Sequence, residues 1–188
     1  MKSFLIIGAG KFGHYLCRKL SQLGNEIMIA DENEEKLSGL LEYVVSAKIG
    51  DCTKPEVLKT FGVEDFDACV VCINEDFQAS LQITDLLNEL GARKVVSLAA
   101  TEIHEKFLLR NGADLVVYPE RDLAERISVT MSRDSIFDFI KLSGEHSICE
   151  MNTPKHWIGK TLQQLQLRSA YGLNLIAIKR DGVLHGIT

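Results

Sequence analysis

The sequence predicts an α/β fold: a Rossmann-like doubly wound parallel sheet, followed by crossover helices and a small α+β C-terminal lobe. Up to about residue 118, short apolar runs alternate with helix-period segments, the pattern of βαβ units. A Gly-x-Gly-x-x-Gly loop, Gly8 to Gly13, follows the first run and opens the first helix. After Tyr118 the rhythm changes and the segments shorten.

The apolar runs Phe4–Ile7, Glu26–Ala30, Val44–Ile49, Ala68–Ile73, Lys94–Ala99 and Leu115–Tyr118 are the expected strands. Helices are expected between them at 11–23, 33–42, 54–61, 76–90 and 103–111. Thr53-Lys54-Pro55-Glu56 reads as a capping box, with Thr53 as N-cap and Glu56 reaching back to it. Gly24, Gly62, Gly91 and Gly112 each follow a helix, where a left-handed residue commonly ends it. Pro119 then opens a helix with Leu123, Ile127 and Met131 on one stripe. A second short helix is expected at 136–142, where Ile136, Phe137, Phe139, Ile140 and Leu142 are too densely apolar for a solvated surface. Because large apolar surfaces seldom stay exposed, this segment either closes the edge of the sheet or packs on a second copy of the chain.

Further strands are expected at Ser147–Glu150 and Leu173–Lys179, with a polar helix near Thr161–Leu167 between them. Asp181-Gly182 reads as a hairpin turn, and Val183-Leu184 begins the returning strand. The expected domains are therefore 1–118, a nucleotide-binding sheet; 119–144, crossover and dimerisation helices; and 145–188, a partial lobe. A lobe of about forty residues is too small for a self-sufficient core and looks cut short.

Composition narrows the function. Of 188 residues, 46% are hydrophobic and 25% charged, which is ordinary for a globular protein. No apolar run approaches the roughly 18 residues of a membrane-spanning helix, and the N-terminus shows no cleavable signal pattern. The net charge of −5 gives no electrostatic reason to expect nucleic acid or anionic lipid as a partner. Five scattered cysteines argue for a reducing compartment and against a disulfide framework. Cys69 and Cys72 have C-x-x-C spacing, but on a strand such a pair points to opposite faces, as core thiols would.

The glycine loop carries the chemistry. Gly8 permits the tight turn, Gly10 lets a pyrophosphate approach the backbone, and Gly13 allows close helix–strand packing. The free N–H groups of the helix then face the phosphates, aided by the dipole. Asp31 lies 18 residues beyond Gly13 at the end of the second strand, where a carboxylate binds ribose hydroxyls. No Arg accompanies it, and Glu32-Asn33-Glu34-Glu35 would repel a 2′-phosphate, which favours NAD or an adenosine nucleotide over NADP. Asp51, after the third strand, either accepts from an adenine amino group or helps to cap the next helix. Asn74, after the fourth, either caps a helix or faces the nucleotide, and Lys11 supplies charge within the loop.

Acid–base groups that would complete a dehydrogenase are missing. Tyr15-x-x-x-Lys19 spells a short-chain dehydrogenase dyad but falls on the first helix, behind the phosphate loop. The histidines have no metal-ligand spacing with the cysteines.

These residues resemble the RCK/KTN family, the cytosolic nucleotide-binding regulatory subunits of bacterial Trk and Ktr potassium-uptake systems. The likeness rests on Gly8-x-Gly10-Lys11-Phe12-Gly13, Asp31, Gly50-Asp51-x-Thr53, Gly112-Ala113-Asp114 and Pro119-Glu120. It continues through Arg168-x-x-Tyr171-Gly172 and Leu175–Ile178. The resemblance implies a gating subunit, peripheral at the inner face of the membrane, that forms homodimers, often four to an octameric ring, beneath a separate potassium-translocating pore. It implies NAD, NADH, ATP or ADP as ligand. By the same resemblance Gly8, Gly10, Lys11, Phe12 and Gly13 hold phosphates, Asp31 holds ribose, and Asp51, Cys52 and Thr53 lie at the adenine. Glu120 matches an acidic position near the terminal phosphate and, with ATP, a divalent cation.

Three departures stand out. Lys11 replaces the Arg of many members, no basic residue follows the fifth strand in Ser97-Leu98-Ala99-Ala100-Thr101, and the C-terminal lobe lacks roughly its last half. The alternative reading is an NAD-dependent oxidoreductase fragment without its substrate domain.

Overall fold

The computed structural model describes residues 1–142 and 146–187. The expected boundary at 144/145 and the chain end at Thr188 lie outside the described residues. The chain divides into two compact units, Met1–Glu125 and Arg126–Thr188.

In the first unit, six parallel strands are ordered β3-β2-β1-β4-β5-β6. They are β1 (Ser3–Ile7), β2 (Glu26–Asp31), β3 (Ser46–Ile49), β4 (Ala68–Val71), β5 (Val95–Leu98) and β6 (Leu115–Val117). The intervening helices are α1 (Lys11–Gln22), α2 (Glu34–Ser38), α3 (Pro55–Lys59), α4 (Phe77–Glu89) and α5 (Glu102–Arg110). The two-residue period of a strand sends Leu5 and Ile7 to one face and Ile6 to the other. Leu5 and Ile7 pack with Leu58, Val71, Ile83 and Leu87, whereas Ile6 packs with Cys17, Ile29, Leu37 and Leu40. Each such apolar side chain contributes about 1.5–3 kcal/mol on full burial. Cys69 joins the first cluster and Cys72 the second, so the C-x-x-C pair straddles the sheet as expected.

Gly24, Gly62, Gly91 and Gly112 have φ of 76°, 66°, 78° and 95°, the left-handed values their places after helices predict. The Thr53 capping box does not form. Lys54 is the N-cap of α3, without a side-chain bond. The Thr53 hydroxyl donates to Asp51 Oδ1 instead, and the Asx turn at Asp51 displaces the cap.

Helix α6 (Pro119–Met131) begins in the first unit and ends in the second. Its stripe of Leu123, Ile127 and Met131 is 56%, 43% and 80% exposed. The short helix expected at 136–142 is instead β7 (Ile136–Lys141), antiparallel to β8 (Ser147–Met151) with an irregularity between Ile136 and Asp138. Density of apolar residues does not distinguish a short helix from a strand, and here the β-branched and aromatic residues take the strand.

A two-residue turn at Asp181-Gly182, both at positive φ, joins β9 (Ala177–Arg180) to β10 (Val183–Gly186) as expected. Residues 173–176 stay outside that strand. The helix near 161–167 divides into α7 (Leu162–Leu165), with a capping box between Thr161 and Gln164, and α8 (Leu167–Tyr171). The break is Gln166, at φ 46°.

Candidate functional site

Where β1 and β4 meet, the strand order reverses, and the carboxyl ends of the strands open a crevice there. Gly8 lies in this crevice at φ 102°, and a Cβ on it would meet the Cys72 carbonyl oxygen and Ile73 Cγ1, both at 3.0 Å. A Cβ on Gly13 would collide with the Gly8 carbonyl oxygen. The loop therefore packs against its own helix only because both positions are glycine. At Gly10 nothing lies within 4 Å of the missing Cβ, so the space above the loop is open.

Gly10 is the N-cap of α1 and supplies no side-chain cap. The first bond of the helix runs from His14 N–H to the Gly10 carbonyl at 2.9 Å. The N–H groups ahead of it have no intrahelical acceptor, which suits an anion at this end. Helices α2, α4 and α5, by contrast, are capped by Asn33, Asp76 and Thr101. Lys11 is exposed at the mouth of the loop. Phe12, 38% exposed, lines an apolar groove together with Phe4, Leu16, Val70, Leu98 and Val117.

Asp31 stands at the end of β2, beside the glycine loop. It is 8% exposed, and its Oδ2 accepts the Ala9 N–H at 2.7 Å while Oδ1 accepts the Asn33 N–H at 2.9 Å. One carboxylate thus ties the end of β2 to the glycine loop. The sequence reading missed a cation here: Lys36 Nζ stands 3.8 Å from Asp31 Oδ1. A basic residue after an acidic run was the available signal.

Asp51 is held in an Asx turn by the Thr53 N–H at 2.9 Å and by the Thr53 hydroxyl, with Lys54 Nζ at 3.8 Å. The Thr53 hydroxyl, its backbone N–H and Lys54 keep the Asp51 carboxyl below its ordinary pKa. Of the two roles left open for Asp51, helix capping is not taken, since α3 starts without a side-chain cap. The Cys52 side chain is buried in the core, and burial pushes its thiol up to about 12. Its backbone alone remains for the crevice.

Asn74 is half-buried in the loop after β4. It does not cap α4, a role Asp76 fills by accepting from the Ala79 N–H at 2.9 Å. Glu120 is exposed in the first turn of α6. Next to it Arg121 pairs with Glu105 on α5 and lies 5.0 Å from the Tyr118 ring, which fixes the start of the helix. Among the described residues no group of three His, Cys, Asp or Glu side chains is placed to hold a metal ion. A cation at Glu120 would need phosphate oxygens to complete its shell. Tyr15 is 69% exposed on α1, on the surface of that helix.

Among the described residues no helix is long and apolar enough to cross a membrane. The TrkA-N domain family matches residues 4–119. Over 179 residues the chain is 41% identical to the Ktr system potassium uptake protein C of Bacillus subtilis (strain 168), covering 95% of this chain and 81% of that one. The Ktr system potassium uptake protein A of the same organism is 34% identical over 181 residues, covering 96% and 82%. Among solved structures, the RCK domain of GsuK superposes with a TM-score of 0.67 at 21% identity, covering 97% of this chain and 40% of that one. The GsuK channel bound to NAD gives 0.70 at 20%, covering 97% and 34%, a likeness of fold. Family match, relatives and fold agree with the resemblance carried by the glycine loop: the chain belongs to the TrkA-N (RCK) family of potassium-uptake proteins.

Proposed function

We propose that this chain is a cytoplasmic, nucleotide-binding regulatory subunit that gates a separate potassium-translocating membrane subunit through ligand-dependent changes in dimer or ring shape. The observation that carries the proposal is the bare start of α1 at Gly10, open above the loop and flanked by the anchored Asp31 carboxylate. Those groups suit a pyrophosphate and a ribose diol, the parts shared by NAD, NADH, ATP and ADP. Solved structures of the neighbour GsuK carry NAD in one case and ADP in another. The relatives' role in potassium uptake supports a transporter as partner.

Binding without turnover fits the chemistry of the crevice. Both oxygens of Asp31 are already engaged by backbone N–H groups. Burial pushes the thiols of Cys17, Cys52 and Cys69 up to about 12 and that of Cys72 further, so none is a nucleophile at neutral pH. Lys11 and Glu120 are the charged groups expected nearest a terminal phosphate, with a divalent cation between Glu120 and ATP. Glu120 opens the helix whose apolar stripe is exposed, so a contact there bears directly on how two copies associate. A ligand shifts such an equilibrium only by binding its two states with different affinity.

Calorimetric titration tests the reading. NADH, ADP and ATP should bind, and NADPH more weakly, because a phosphate about 4 Å from a carboxylate costs several kcal/mol at a protein surface. Absence of binding would overturn the proposal. Steady consumption of NADH or ATP would favour an oxidoreductase or another enzyme in its place.

A further inference from the structure

The turn that carries Asp31 also carries a cation whose place is fixed from two sides. The Lys36 N–H donates to the Asn33 carbonyl at 3.2 Å, and its own carbonyl lies 2.9 Å from His14 Nε2 on α1. Its ammonium stands 3.8 Å from Asp31 Oδ1, where the lysine side chain is 50% exposed and the carboxylate 8%. Glu32, Glu34 and Glu35 are exposed on the same stretch, yet the ion pair is made with the carboxylate of the crevice.

Asp31 has little freedom to answer a change of ligand. Its oxygens hold the Ala9 and Asn33 N–H groups, which leaves one lone-pair direction on each for a ribose hydroxyl. A 2′-phosphate in place of that hydroxyl would meet a carboxylate that cannot swing away. The half-exposed lysine can move to it. An Arg near this position accommodates the 2′-phosphate in NADP-binding relatives of the fold, and a lysine offers the same charge without the fork.

We infer that Lys36 determines specificity at the ribose edge of the site: it donates toward the 2′ and 3′ oxygens and limits how strongly a 2′-phosphorylated dinucleotide is rejected. The inference rests on the reading of the crevice as an adenine-nucleotide site, and the experiment separates the two. The full chain, Lys36→Gln and Lys36→Arg are titrated calorimetrically with NADH, NADPH and ADP, with thermal melting as the check of folding. If the unsubstituted chain binds neither NADH nor ADP, the nucleotide reading falls and this inference with it. Where it binds, Lys36→Gln should weaken NADPH about tenfold more than NADH, a difference of about 1.4 kcal/mol. Lys36→Arg should keep the original ratio. An equal loss for NADH and NADPH in Lys36→Gln, or no loss for either, overturns the inference, since a lysine that merely props Asp31 affects both alike. Should Lys36→Gln fail to fold, Lys36→Met carries the same comparison.

Discussion

From Met1 to Glu125, apolar side chains fill both faces of the sheet, and Leu5, Ile6, Ile27, Ile29 and Leu98 are 1% exposed or less. From Arg126 onward, Leu165 and Leu167 are the buried apolar residues among those described, while Phe137, Ile140, Leu142, Ile158 and Leu184 all exceed 50%. The second unit has regular backbone, with two hairpins and a capped helix, but little core. Local rules suffice for its turns and caps. Burial on the scale of the first unit needs more surface than about sixty residues provide. In the dimer we propose, the exposed stripe and strand faces are where a second copy of the chain would supply what the unit lacks.

The largest effects should come from the first core. Leu5→Ala removes a fully buried side chain and should cost about 2–5 kcal/mol in urea unfolding. Ile148→Ala, at a site 39% exposed, should cost under about 1 kcal/mol in a lone chain. Similar costs at the two sites would erase the contrast. Next in size is association: replacing Phe137 and Phe139 by Asp should convert dimers to monomers in sedimentation analysis. A chain already monomeric at micromolar concentration would refute the interface.

Smaller losses should follow removal of helix caps. Thr101→Ala and Thr161→Ala each delete a side-chain oxygen that accepts a helix N–H, worth about 1 kcal/mol. Hydrogen exchange should show the first loss spread through the sheet unit and the second confined to the hairpin unit. Both losses appearing in both units would show that the two unfold as one.

The mildest effect is a dependence on pH. His104 is 1% exposed, accepts the Ala100 N–H at Nδ1 (3.3 Å) and places Nε2 3.2 Å from Ser80 Oγ. Burial lowers its pKa below the ordinary 6.5. The unfolded chain takes up the proton first, so the stability is complete above about pH 6.5 and declines as the pH falls below it. His104→Gln should flatten that decline. Glu105 and Asp138, held low by Arg121 and Arg126, act in a separate window: their stabilisation is present above the ordinary carboxylate range and lost as the pH falls through it.

Much of the sheet unit was legible because its signals are local: the alternation at Leu5, Ile6 and Ile7, and the glycines whose backbone angles no other residue adopts cheaply. The same holds for the placement of Gly8, Gly10, Gly13 and Asp31 around one crevice. What was misread depended on partners distant in sequence or on competing bonds. Residues 136–141 became a strand because β8 was there to pair with them. Thr53 gives its hydroxyl to Asp51 two residues away, and α3 is left without a side-chain cap. Lys36 escaped notice because its reach back to Asp31 depends on the fold of α2 and on His14.

Small-angle scattering of the full chain with ATP and magnesium, with ADP and with NADH, repeated on Glu120→Gln, tests the gating account most directly. Nucleotide identity should change the shape of the dimer, and the substitution should shrink the difference between ATP and ADP. One profile shared by every nucleotide, or an ATP-to-ADP difference untouched in Glu120→Gln, would contradict it.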